Sequence, residues 1–103
     1  MPDAYRVILL PEAFDDLDAI VDYIEHESPK NAALTVERIL RAAQSLSQLP
    51  HRYKVHRSKK QLDRTIHSMP LPPFIIYYRI IEQPPTVRVL TIRHGARRPP
   101  RFE

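Results

Sequence analysis

The chain has no cysteine, a single glycine, and no apolar run that approaches membrane-spanning length. Without cysteine there is no disulfide, no thiolate nucleophile and no thiolate metal site, which suits a reducing cytoplasm. A membrane-crossing helix needs about 20 mostly apolar residues. The N-terminal stretch MPDAYRVILLPEA also lacks the basic start and long apolar core of an export signal. A soluble, cytoplasmic protein with no membrane partner is expected. Internal repeats, low-complexity stretches and linkers are missing too, so 103 residues read as one domain. No cofactor and no bound metal are expected.

Acidic residues are scarce in one half only. Residues 1–50 carry four Lys/Arg against nine Asp/Glu, a balance of −5. Residues 51–103 carry twelve against three, a balance of +9, with four of the five histidines. The net charge of +4 therefore hides an acidic helical half and a basic half suited to an acidic protein segment or a polyanion.

What the chain does have is a pair of strand-forming runs near its end. Phe74 to Ile81 (FIIYYRII) and Val87 to His94 (VRVLTIRH) are rich in β-branched and aromatic residues, and Glu82 to Thr86 (EQPPT) separates them. Two such runs around a short proline-containing turn predict a β-hairpin. Neither run alternates cleanly, since Ile75, Ile76, Leu90 and Ile92 put apolar groups on both faces, so both sides of these strands are expected to be at least partly covered.

Earlier in the chain, Tyr5 to Leu10 (YRVILL) reads as a strand closed by Pro11. From Glu12 to Glu27, Ala13, Phe14, Leu17, Ile20, Val21 and Ile24 fall at three- and four-residue steps and predict an amphipathic helix. Asp15, Asp16, Asp18, Asp22 and Glu25 fill its other positions and are expected to face solvent, with no histidine in register to make them a metal site. Ser28-Pro29 is a start signal, a hydroxyl N-cap before proline at the first helical position. The second helix is expected to reach Leu49, stopped by Pro50, with Ala32, Val36, Ile39, Ala43 and Leu46 as its stripe.

His51 to Arg64 reads as a basic exposed connection with a short strand around Tyr53–His56. Thr65 to Met69 reads as a further strand. The order is β-α-α-β-β-β, a helical hairpin packed on one face of a mostly antiparallel sheet. That is an α+β two-layer domain.

Several local patterns, taken in order, resemble the RelE/ParE superfamily of toxins from type II toxin–antitoxin systems. They are Y-R-V at Tyr5 to Val7, D-L-x-x-I-x-x-Y-I at Asp16 to Ile24, L-x-x-L-P at Leu46 to Pro50, I-x-Y-R at Ile76 to Arg79, and V-x-V-L-x-I-x-H-G-x-R at Val87 to Arg97. The resemblance implies a sheet with the first strand beside the last, helices on one face and a basic groove on the other. It also implies a toxin–antitoxin hetero-oligomer in which the acidic C-terminal segment of a cognate antitoxin wraps the toxin.

Two activities occur in that superfamily. The RelE branch cuts mRNA on the ribosome without metal, which needs a base, an acid and cations on the developing charge. The matching positions here fall near His67, at about Ile75 and at Arg97. Isoleucine can do no electrostatic work, and the missing arginine forfeits about 3–4 kcal/mol of barrier lowering. His67, Tyr77, His94 and Arg97 form an alternative nuclease set. The ParE branch poisons DNA gyrase and lacks a nuclease constellation.

The chain is closer to the ParE branch. The resemblance then assigns target binding to Arg93, His94, Arg97, Arg98 and Arg101, and antitoxin binding to Tyr77, Arg79 and Arg88. Each candidate also has a plain structural role. His94 can be an edge residue, Tyr5, Tyr77 and Tyr78 core or rim aromatics, and Arg79 with Arg88 a cross-strand pair. Gly95 is expected to supply a positive φ where the last strand ends. A plain nucleic-acid-binding module is the third reading of the basic half.

Overall fold

The hairpin forms where the two β-rich runs fall. In a computed structural model of the chain, residues 4–57 and 65–95 are described. Among them, β1 (Arg6–Leu9) leads to α1 (Pro11–Glu25) and α2 (Pro29–Ser45), then β2 (Val55–Arg57), β3 (Ile66–Leu71), β4 (Phe74–Ile81) and β5 (Thr86–His94). The strands form one sheet in the order β1-β5-β4-β3-β2. β1 runs parallel to β5 and every other pair is antiparallel. The α+β two-layer architecture is the expected one. The short strand read around Tyr53–His56 is realised as β2, which extends the sheet to five strands.

The helices lie over the sheet because their apolar stripes have nowhere else to go. Ala13 and Leu17 of α1, Ile39 and Ala43 of α2, and Leu46 pack with Met69, Phe74, Ile76, Tyr78, Ile80, Val87, Val89 and Ile92. Pro11 opens α1 with no side-chain cap, whereas Ser28 caps α2 by accepting the Asn31 N–H at 3.2 Å. α2 ends at Ser45, four residues short of the expected Leu49. Leu49 takes a left-handed conformation instead (φ 47°) and leads into a short 3-10 turn, Pro50–Arg52. Arg52 holds this exit by donating to the carbonyls of Gln48 and Leu49.

Tyr78 locks the exit to the sheet. Its ring is fully buried and its hydroxyl donates to the Pro50 carbonyl at 2.6 Å. Burial pushes the Tyr78 phenol well above its ordinary value near 10, and burial also raises that of Tyr77. For a tyrosine this keeps the neutral form in the fold while the unfolded chain ionises near pH 10. The resulting stability is intact below that pH and declines as the pH climbs above it. Urea midpoints measured from pH 8 to 11 should fall above pH 10, and less steeply in Tyr78→Phe. An equally steep fall in the variant would refute the assignment.

Candidate functional site

Among the described residues the sheet contains no carboxylate. β1 to β5 read RVIL, VHR, IHSMPL, FIIYYRII and TVRVLTIRH, so every charged side chain on a strand is an arginine or a histidine. The described acids sit on α1, at Glu37 of α2 and at the turns. The charge split along the sequence thus becomes a split between elements, an acidic α1 against a cationic sheet, with α2 mildly basic.

The face turned away from the helices is not bare. Ile66 (0% exposed), Tyr77 (3%) and Leu90 (8%) form a second apolar cluster there, with Leu10 and Ile75 packed against it. This is the two-sided cover that the broken alternation of the hairpin runs implied. Arginines surround the cluster. Arg79 and Arg88 are directly opposite one another across β4 and β5, and Ile8 of β1 is level with Arg88. Val7 and Leu9 pack under the helices, so Arg6 shares the other face with Ile8.

Arg93 also lies on this face, opposite Ile75. Its Nε donates to Thr91 Oγ1 at 3.3 Å, and the Thr91 hydroxyl in turn donates to Asp16 Oδ2. The same carboxylate oxygen accepts the Ile92 N–H at 2.9 Å. β1 pairs with β5 only as far as Val89, so Asp16 serves the part of the β5 edge that no strand reaches. Asp16 is therefore half-buried and structural, not one of a row of solvated acids as the helical pattern implied. The charge of Arg93 acts against the burial-raised value of Tyr77, placing the guanidinium near that phenol.

The remaining candidates are divided between the faces. His67 is in register with Tyr78 and stacks on it with ring centroids 5.4 Å apart, on the helix side. Its Nδ1 lies 3.1 Å from the Tyr53 carbonyl oxygen. Tyr77 points the other way, against His56 at 4.9 Å. His94 packs edge-on against Phe74, a core residue beneath the helices, at 6.0 Å. His67 and His94 are level with Tyr78 and Phe74, roughly 13 Å apart along the strand at the usual rise.

The structure thus does not bring together His67, Tyr77 and His94. Arg97, Arg98 and Arg101 lie outside the described residues. Gly95 is described, and it does not have the expected positive φ. Its N–H donates to the Pro73 carbonyl at 2.7 Å, and a Cβ there would stand 3.3 Å from that oxygen, so close backbone approach explains the glycine.

A second polar group closes the opposite end of the sheet. The Tyr5 hydroxyl donates to Glu82 Oε2 at 2.7 Å, and His51 Nε2 lies 3.0 Å from Glu82 Oε1. The hydrogen bond to Glu82 raises the Tyr5 phenol above its ordinary value. This cluster ties the start of β1 to the β4–β5 turn. Among the described residues no group of three or more His, Asp or Glu could hold a metal ion, and no helix is long and apolar enough to cross a membrane.

Residues 7–99 match the family of ParE toxins of the type II toxin–antitoxin system parDE. The chain belongs to the ParE toxin family. Toxin RelE2 of Caulobacter vibrioides is 32% identical over 92 residues, covering 89% of this chain and 97% of that protein. Among solved structures, the chromosomal ParDE toxin–antitoxin system of P. aeruginosa superposes with a TM-score of 0.69 at 22% identity, over 88% of this chain and 96% of that one. The toxin–antitoxin complex RelBE2 of Mycobacterium tuberculosis gives 0.61 at 26% identity, over 88% and 98%. The archaeal RelE–RelB complex of Pyrococcus horikoshii gives 0.66 at 16%, over 92% and 99%. This ParE-family chain is a type II system toxin with the two-layer fold of its relatives.

Proposed function

We propose that the toxin acts as a ParE-type inhibitor of DNA gyrase, without catalysis of its own, and that a cognate antitoxin with an acidic C-terminal segment holds it inactive in a cytoplasmic hetero-oligomer. The observation that carries the first half is the division of the nuclease candidates. A general base and acid must lie within hydrogen-bond reach of one scissile phosphate, directly or through a single water. His67 and His94 are on the helix side of the sheet and Tyr77 is on the other. Ile75, where a nuclease of the superfamily would offer an arginine, packs into the second apolar cluster.

The basic surface read from the sequence supplies the target contact. Arg93, His94 and the following Arg97, Arg98 and Arg101 are its members. An antitoxin partner is supported by the solved relatives, which are described as ParDE, RelBE2 and RelE–RelB systems or complexes. The charge of the sheet supports an acidic partner.

Purified toxin at micromolar concentration should abolish supercoiling by gyrase and accumulate cleaved DNA, while leaving mRNA intact in a translation extract. Unaffected gyrase together with mRNA cut at the ribosome would replace this reading with the RelE-type nuclease.

A further inference from the structure

The outward side of α2 has the relief of a helix-packing surface and is left in water. Two shallow grooves run along it, the first floored by Val36 and Leu40, the second by Leu34 and Ala42. Glu37, Arg41 and Ser45 line both grooves, so they stand between them as a ridge at four-residue steps. Two helices that cross at about 50° interlock ridges and grooves of this kind. Leu34 (54% exposed) and Leu40 (41%) face water here, whereas Ile39 and Ala43 on the inward side of the same helix are buried.

The charges on the ridge narrow the occupant. Glu37 accepts a hydrogen bond from Arg41 one turn on, and their side chains are 60% and 79% exposed. The neighbouring Arg38 is turned aside, donating to the Pro72 carbonyl at 2.6 Å. The ridge thus carries one anion followed by one cation. A polyanion meets repulsion at Glu37 and finds no row of cations to track. A second α2 laid antiparallel presents the opposite order, so that around one two-fold axis each Glu37 meets an Arg41 of the other copy.

We propose that this side of α2 is a self-association surface, through which two copies of the chain pair antiparallel with Glu37 of each against Arg41 of the other. The four charges then alternate around the axis, and the ridge of each copy covers Val36 and Leu40 of the other. The helices meet back to back, so the cationic face of each sheet stays outward. One helix face is small against the roughly 800 Å² per partner of a standard interface, so the pair is a weak one, with a dissociation constant of about 10–100 µM.

Sedimentation equilibrium of the full chain from about 5 to 500 µM should show the average mass climbing from one chain towards two. Glu37→Arg puts four cations at the axis and Arg41→Glu four anions, so each variant alone should associate at least about tenfold more weakly. Both positions are exposed, and both variants should melt within about 3 °C of the parent. An equimolar mixture of the two should recover the parent's association, because every contact across the axis is again between opposite charges. Glu25→Arg, the same reversal on the exposed side of α1, should leave association within about twofold. A parent chain that stays single at the highest concentration overturns the proposal and leaves the grooves to an amphipathic helix of another protein. Charge variants that associate as the parent does, or a mixture that fails to associate, overturn it as well. None of these outcomes bears on gyrase inhibition, which the supercoiling assay tests by itself.

Discussion

Replacing Asp16 with alanine is expected to cost about 2–4 kcal/mol of stability, far more than any neighbouring acid on α1. The reason is the number of groups it leaves stranded. Thr91 is fully buried and its hydroxyl donates to Asp16, as does the Ile92 N–H at the part of the β5 edge beyond β1. Hydrogen bonds to an ionised acceptor are the strong ones, and a buried donor abandoned by its partner bears the desolvation cost. Asp16→Asn keeps an oxygen acceptor but not the charge, so it should lose about half as much. Asp18→Ala, on the exposed side of the same helix, should stay within about 0.5 kcal/mol.

Urea unfolding of the three variants is the measurement. If Asp16→Ala behaves like Asp18→Ala, the carboxylate is solvated and the edge-capping role is wrong. There is a functional consequence as well. Thr91 receives the Arg93 Nε–H, so a folded Asp16→Asn chain should bind its target more weakly because Arg93 is less firmly held.

That role was not legible in the sequence, for a physical reason. Six acids share the polar positions of α1, and periodicity says which side of a helix they occupy, not which one meets an unfinished strand edge. The helices and their starts were legible, because proline punctuation and apolar spacing agreed at Pro11 and Ser28-Pro29, whereas α2 ends at Ser45, before the stop expected at Pro50. The hairpin was legible for the same reason, with only Thr86 moving from turn to strand.

The faces of β5 were harder to read. Val87 and Val89 turn towards the helices, and so does Ile92, an odd number of residues later. A register shift opposite Tyr77 and Tyr78 inserts an extra residue and reverses the alternation, leaving Leu90 on the far face. A strict two-residue period cannot foresee that reversal. It is also why Arg93 lies with Tyr77 and Thr91 while His94 goes with Phe74. The alternative nuclease set of His67, Tyr77, His94 and Arg97 follows from the family resemblance and not from any contact legible along the chain. The bulge in β5 and the inward turn of His67 in β3 separate its described members, and both depend on partners distant in sequence.

The other large effect expected is at Tyr78. Truncation to alanine should remove about 4–6 kcal/mol, combining the loss of a large buried ring with a Pro50 carbonyl left without its donor. A folded chain of this size has roughly 5–15 kcal/mol in total, so Tyr78→Ala should be extensively unfolded at 37 °C or close to it. Tyr78→Phe isolates the hydroxyl and should cost about 1–2 kcal/mol, with a cooperative transition retained. A loss below about 2 kcal/mol in Tyr78→Ala would mean that the ring is not the keystone between β4 and the exit of α2.

The same pair of faces gives this variant a functional use. Tyr78 and His67 are stacked on the helix side, away from Arg79, Arg88 and Arg93. Folded Tyr78→Phe and His67→Gln chains should therefore keep their toxicity when expressed without antitoxin. Toxicity lost in a His67→Gln chain that melts like its parent would make His67 chemically essential, and the nuclease reading would displace gyrase inhibition.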